Sequence, residues 1–251
     1  MSKSKKFKDQ MCIYCLENLS TRQGDHIFAR KFFLKSKRDD LPKVPACKSC
    51  NDEKSQLEHY LTTVLPFGGQ HSDARDNLQK MVPPRLAKNE KLRDELERNK
   101  QTIWEQKESG LYLKKAAGFH LPEIRDTLES LICFIVTGLL WYHWKVALTS
   151  DHGLLPMCLT KAGEDIFDKL LSVPTANRVE SDLGNGTFFY RGDQNTVYPE
   201  LSIWEISVYG GLRLADVNAP HVESLKIGAF SCCRKSILMQ TLAPLGLTAE
   251  N

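Results

Sequence analysis

The sequence predicts an α+β fold, with a metal-stapled module at the N-terminus and then helices followed by antiparallel strands. Three observations predict it. Cys12-Ile-Tyr-Cys15 and Cys47-Lys-Ser-Cys50 are two C-x-x-C pairs set close together in the chain. The apolar run 131–142 reads as a buried helix. Residues 202–209 alternate, with Trp204, Ile206 and Val208 on one face, and end at Gly210-Gly211, as a half-buried strand would.

The chain has 251 residues, 41% of them hydrophobic and 26% charged. These are ordinary values for a globular protein with a full core. No apolar segment follows Met-Ser-Lys-Ser-Lys-Lys, and the longest apolar run falls short of the roughly 20 residues a bilayer requires. A cytoplasmic protein without a membrane partner is the expectation. The net charge of +3 conceals an asymmetry. Residues 1–54 hold 13 Lys and Arg against 7 Asp and Glu, while the remainder holds 21 against 24. Positive charge therefore sits with the cysteine module, where it suits a phosphate backbone.

The elements follow in order. Residues 1–10 form a basic arm with Lys3, Lys5, Lys6 and Lys8, and 11–66 form the cysteine module. Gly68-Gly69 and Pro83-Pro84 mark 67–84 as a linker, after which 85–251 is a second, α+β domain for binding substrate or partner. Residues 85–109 carry opposite charges at helical spacing and predict an exposed helix. Leu121-Pro122 opens the next helix, which runs to about 148. A further helix is expected over 162–171. Short strands are expected at 187–190, 202–209 and 225–230. Gly210-Gly211 before Leu212-Arg213-Leu214 signals a hairpin.

Zinc takes four ligands in a tetrahedron and favours thiolates. In a reducing compartment, paired C-x-x-C spacing reads as metal rather than disulfide. Cys12, Cys15, Cys47 and Cys50 would fill all four positions, leaving none open, so this Zn2+ is structural. It would stabilise a module too small to fold on its own core. Between the pairs lies Gly24-Asp25-His26-Ile27. A neutral imidazole can take a proton from water near neutral pH. Asp25 and Asn51 are oxygen ligands of the kind that select Mg2+ or Mn2+.

The stretch Asp25-His26-Ile27, then Cys47-x-x-Cys50-Asn51-x-x-Lys54-Ser55, resembles the HNH endonuclease family in its cysteine-bearing ββα-metal form. It is also similar, around the D-H-I motif, to the HNH domain of RNA-guided CRISPR nucleases. The resemblance covers residues 11–66. It implies a strand bearing His26, a returning strand, and a helix over 51–64. It implies a metal-dependent endonuclease that hydrolyses DNA, with RNA the alternative substrate. His26 is then the general base, Asp25 and Asn51 hold the catalytic Mg2+ or Mn2+, and Lys54 contacts phosphate. Small proteins of this type resemble bacterial restriction and antiviral defence effectors, and the resemblance allows a regulatory or sensor protein subunit as partner. Successive strand residues point to opposite faces, so Asp25 and His26 share one site only if the strand is bulged or strained; the resemblance implies that they do.

The chain departs from the pattern at two points. The middle Asn or His of the family falls near Pro42 or Lys43, and Phe28 stands where a proline is usual. These departures leave an alternative: a zinc-stapled nucleic-acid-binding module without catalysis. His59 lies about 12 Å along the helix from Asn51, too far to share its ion, and reads as a surface or phosphate-contacting residue. Cys133 reads as core. Cys158 and the pair Cys232-Cys233 lack metal spacing. The cluster Trp141, Tyr142, His143 and Trp144 reads as a buried helix end rather than a stacking platform. His71, His120, His152 and His221 are isolated.

Overall fold

The computed structural model describes residues 6–20, 24–106, 112–121, 123–173, 175–213 and 226–232. Expectations placed on Lys3, Lys5, Pro122, Leu214, His221, Leu225 and Cys233 lie outside them. The architecture is a mixture of helices and antiparallel sheet, in line with the α+β expectation. Among the described residues, no helix is long and apolar enough to cross a membrane.

The N-terminal part holds β1 (Asp25–His26), β2 (Lys43–Val44) and α1 (Lys48–Val64). β1 and β2 pair antiparallel, Asp25 with Val44 and His26 with Lys43. The following segment, expected as a linker, is helical: α2 (Ser72–Lys80) and α3 (Val82–Leu86). Polar side chains bind it on both sides. Asn77 donates to the Phe32 carbonyl at 3.0 Å and to the Tyr209 hydroxyl at 3.3 Å, and that hydroxyl donates to the same carbonyl at 2.8 Å. Buried Asp73 accepts from Lys37 at 2.8 Å and from Thr187 at 2.5 Å. Glycine and proline signals thus mark bends between short helices rather than a free connection.

The helix expected over 85–109 is shorter. α4 (Glu90–Arg98), capped by the Asn89 side chain, buries Leu92 and Leu96 and then gives way to β3 (Lys100–Gln106), paired antiparallel with β4 (Tyr112–Phe119). The charge periodicity belongs to α4; the Thr102-Ile103-Trp104 run that follows favours strand. α5 (Ile124–Trp144) ends four residues early, where Lys145 turns left-handed at φ 58°. β5 (Gly153–Leu159), α6 (Lys161–Ser172), β6 (Val179–Leu183), β7 (Phe188–Gln194), β8 (Ser202–Val208) and β9 (Lys226–Cys232) complete the chain. The sheet runs β5-β9-β8-β7-β6, every pair antiparallel. Among the described residues, Leu212 and Arg213 do not turn back along β8 as the hairpin signal after Gly210-Gly211 predicts. Leu212 bridges to Gly69 instead, and β8 pairs with β7 and β9.

One apolar core joins the cysteine module to the sheet. Phe28 stacks on Tyr190 at 5.6 Å and meets Phe188 at 4.9 Å; Phe32 meets Tyr209 at 6.2 Å. Phe28, the aromatic after Ile27, is therefore a wedge between the two parts. α5 lies between them. A side chain at Gly138 would crowd Ile27 at 3.0 Å, so glycine permits close approach of the helix. At its other end Trp144 packs on Trp204 at 5.0 Å and His143 meets the Tyr190 hydroxyl at 3.0 Å. The cluster 141–144 is thus the packed helix end expected, with Tyr142 half-exposed.

Trp204, Ile206 and Val208 are buried as the alternation predicts. The Trp204 ring lies across Gly192, its partner on β7, where a Cβ would overlap it. Gly192→Ala is expected to cost about 1–3 kcal/mol through overpacking. A urea midpoint within error of wild type would refute this account of the crossing.

Candidate metal centre and adjoining polar cluster

The first C-x-x-C pair sits on a tight knuckle. Cys12 N–H donates to the Asn18 carbonyl, Leu16 N–H returns to the Cys12 carbonyl, and Ile13 N–H reaches Pro45, beside the second pair. The second pair opens α1. Cys47 is its N-cap, and the thiol accepts from Cys50 N–H at 3.5 Å. Two separate chain reversals thus aim four sulfurs at one point.

The four Sγ atoms lie within 4.8 Å of one another, with Cys15 and Cys47 at 3.9 Å. A tetrahedral ion with Zn–S bonds of about 2.3 Å holds its sulfurs about 3.8 Å apart. The donor set therefore fits a zinc ion. The local environment is divided. Burial pushes the Cys12 thiol up, and burial together with the neighbouring thiols pushes Cys50 far up. At Cys15 burial opposes ionisation, but the Glu17 and Asn18 backbone N–H groups, aided by the Cys12 and Asn18 side chains, outweigh it and bring the thiol to about 6. Packed without a cation, these thiols could not all ionise; a bound dication removes that conflict.

Beside this centre lies a buried ion cluster. Lys54 is 1% exposed. Its ammonium donates to Glu58 Oε1 at 2.7 Å and to the His26 carbonyl at 2.6 Å, and forms an ion pair with Asp25 Oδ2 at 2.9 Å. The Tyr14 hydroxyl donates to the same Asp25 oxygen at 3.0 Å, and its ring packs on Phe134. Burial, with the Asp25 charge, holds the Tyr14 proton well above its usual range, so it remains a donor. Burial raises Glu58 despite its lysine.

The four expected catalytic residues, Asp25, His26, Asn51 and Lys54, are thus only partly brought together. Asp25 and Lys54 touch. Asn51 is one turn before Lys54 on the same helix face, and its amide makes no hydrogen bond among the described residues. Lys54, expected at a phosphate, points inward, with two hydrogen bonds and an ion pair to Asp25. β1 pairs without a register shift. Asp25 accordingly turns inward with Val44, and the half-buried His26 lies on the other face with exposed Lys43. The bulge that would bring both side chains to one face is absent. Burial, then Lys43 and Arg30, depress the His26 imidazole to about 4, with Asp25 offsetting in part. It is neutral at neutral pH, and its ring makes no hydrogen bond among the described residues.

Sequence reasoning did not single out Tyr14 and Glu58. Glu58 follows Lys54 by four residues, a spacing that signals pairing on a helix; for Tyr14, inside the first C-x-x-C, no local signal exists. No family model, curated protein or solved structure matches the chain.

Proposed function

We propose that this protein is a metal-dependent endonuclease of the HNH type that hydrolyses DNA phosphodiester bonds. The observation that carries the reading is the order of parts around the four cysteines: a strand with Asp25-His26, a return strand, then a helix whose cap is Cys47 and whose Asn51-to-Lys54 turn faces that strand. In this reading His26, neutral and with a free ring nitrogen, takes the proton of the attacking water. Lys54 and Tyr14 hold one oxygen of Asp25, Oδ2, and neither takes Oδ1. That oxygen and the Asn51 amide oxygen are two hard donors, which suit a magnesium or manganese ion that keeps several waters. When bound, such an ion would supply Lewis-acid stabilisation of the phosphate. Zinc builds the frame. Specificity, and gating by a regulatory subunit or a role in antiviral defence, would belong to surfaces outside the module.

A second reading, a zinc-stapled nucleic-acid-binding module, is favoured by the unbulged β1 and by the ammonium already on Asp25. Plasmid cleavage decides between the two. Wild type with Mg2+ or Mn2+ is expected to nick or linearise, and EDTA to stop it. His26→Ala is expected to slow cleavage about 10²–10⁴-fold, as loss of a general base does. Cleavage unchanged in the variant, or no metal-dependent cleavage by wild type, would sink the proposal.

A further inference from the structure

The cationic surface beside His26 does not end with the module. Arg30 and Lys31 are exposed on the 3-10 turn Arg30–Phe32, which begins four residues past the end of β1. The Lys31 ammonium donates to His59 Nε2 at 2.9 Å, which makes His59 an acceptor rather than a cation. Arg85, at the end of α3, donates to the Thr62 carbonyl and, at 2.8 Å, to the Lys31 carbonyl. It braces Lys31 against α1 and carries the charge onward to exposed Lys88.

The groups are close enough to perturb one another. Burial and then Arg85 lower Lys31, and burial, Lys31 and Arg85 lower His59. Glu58 is the carboxylate that offsets Lys31, and it is held by Lys54. Nearby, Nη2 of Arg38 is buried without a hydrogen bond among the described residues, and the Arg30 charge lies close to it. Like charges assembled by backbone hydrogen bonds, with little acid among them, form a surface prepared for a polyanion.

We propose that duplex DNA follows this surface, its phosphates running from His26 past Arg30 and Lys31 and over the α1–α3 junction to Lys88. The proposal rests on the endonuclease reading for the class of substrate. It assigns the grip to a path that leaves the cysteine module, with Arg85 as the brace within it.

The test is binding of a fluorescent duplex of about 20 base pairs by the zinc-loaded protein, without added Mg2+ or Mn2+ and without chelator, by anisotropy over a range of salt. Arg30→Gln/Lys31→Gln/Lys88→Gln removes three exposed cations and leaves Arg85 in place. Arg125→Gln/Lys161→Gln/Lys169→Gln removes three exposed cations elsewhere. The slope of log K against log salt is expected to fall by about 2.7 in the first variant, at about 0.9 per phosphate contact, and to stay at the wild-type value in the second. Equal losses in both variants, an unchanged slope in the first, or no binding by wild type would overturn the path. Unchanged thermal denaturation verifies that both variants fold. Plasmid cleavage by the wild type separates the two proposals. Binding that depends on the path without cleavage keeps the path and removes the nuclease; cleavage with an indifferent path does the reverse.

Discussion

Cys47→Ser is expected to release the zinc ion and unfold the N-terminal module. Cys47 both supplies a sulfur to the cluster and caps α1, so a single exchange removes a ligand and disturbs the helix start. Structural zinc sites contribute about 10–16 kcal/mol in isolated fingers, comparable with the 5–15 kcal/mol that holds a typical domain together. The effect should not stay local, because Phe28, Phe32 and Phe33 pack into the sheet. The wild type should carry one zinc per chain, measured by mass spectrometry under native conditions. The variant should carry none and lose its cooperative thermal transition. A strong chelator should reproduce the loss in wild type. Full retention of the transition by a zinc-free protein would show that the sulfurs are only neighbours.

Lys54→Met should be nearly as damaging, for an electrostatic reason. The substitution keeps the volume of the stem but leaves Asp25 and Glu58 side by side, both largely buried, with no cation between them. Breaking a buried ion pair by removing one partner costs about 3–5 kcal/mol. The remedy distinguishes charge from packing. Lys54→Met combined with Asp25→Asn and Glu58→Gln removes the uncompensated carboxylates and is expected to regain a large part of the loss in urea denaturation. No recovery in the triple variant would mean that the lysine acts through its packing or its bond to the His26 carbonyl. At low pH the single variant should approach wild type, since burial raises the Glu58 carboxyl and its protonation removes one of the two uncompensated charges.

The depth of Lys54 bears on the proposed chemistry as well. A lysine that contacts substrate must reach solvent, and this one does not. It pairs with Asp25 and anchors the His26 backbone, and in the proposed reading phosphate contact falls to the exposed Arg30 and Lys31 surface.

Much of the frame was legible in local sequence because its signals are local. The two C-x-x-C pairs named the four sulfurs, and the helix after them was expected three residues late because Cys47, not Cys50, is the cap. Alternation named the buried face of β8, Trp204, Ile206 and Val208, but not that Glu205 and Ser207 on the other face are buried as well, because β8 is an inner strand of the sheet. Other elements were silent. β5 and β6 are the two edge strands of the sheet. β5 contains Pro156, which argues against a strand except at an edge, and β6 (Val179–Leu183) is polar on one side. The segment 67–84 carried turn signals that are real, yet its helices are bound by Asp73 and Asn77 to residues more than a hundred positions away.

The sequence alone determined which residues could bind metal, where the positive charge lies, and the long helix and central strands of the second half, because spacing, charge and periodicity are properties of neighbours in the chain. Only the tertiary structure decided that the cysteine module and the sheet share one core, that Lys54 is a buried counter-ion, and that Asp25 and His26 face opposite ways on an unbulged strand. These depend on which distant side chains exclude water from one another, and local sequence does not record that.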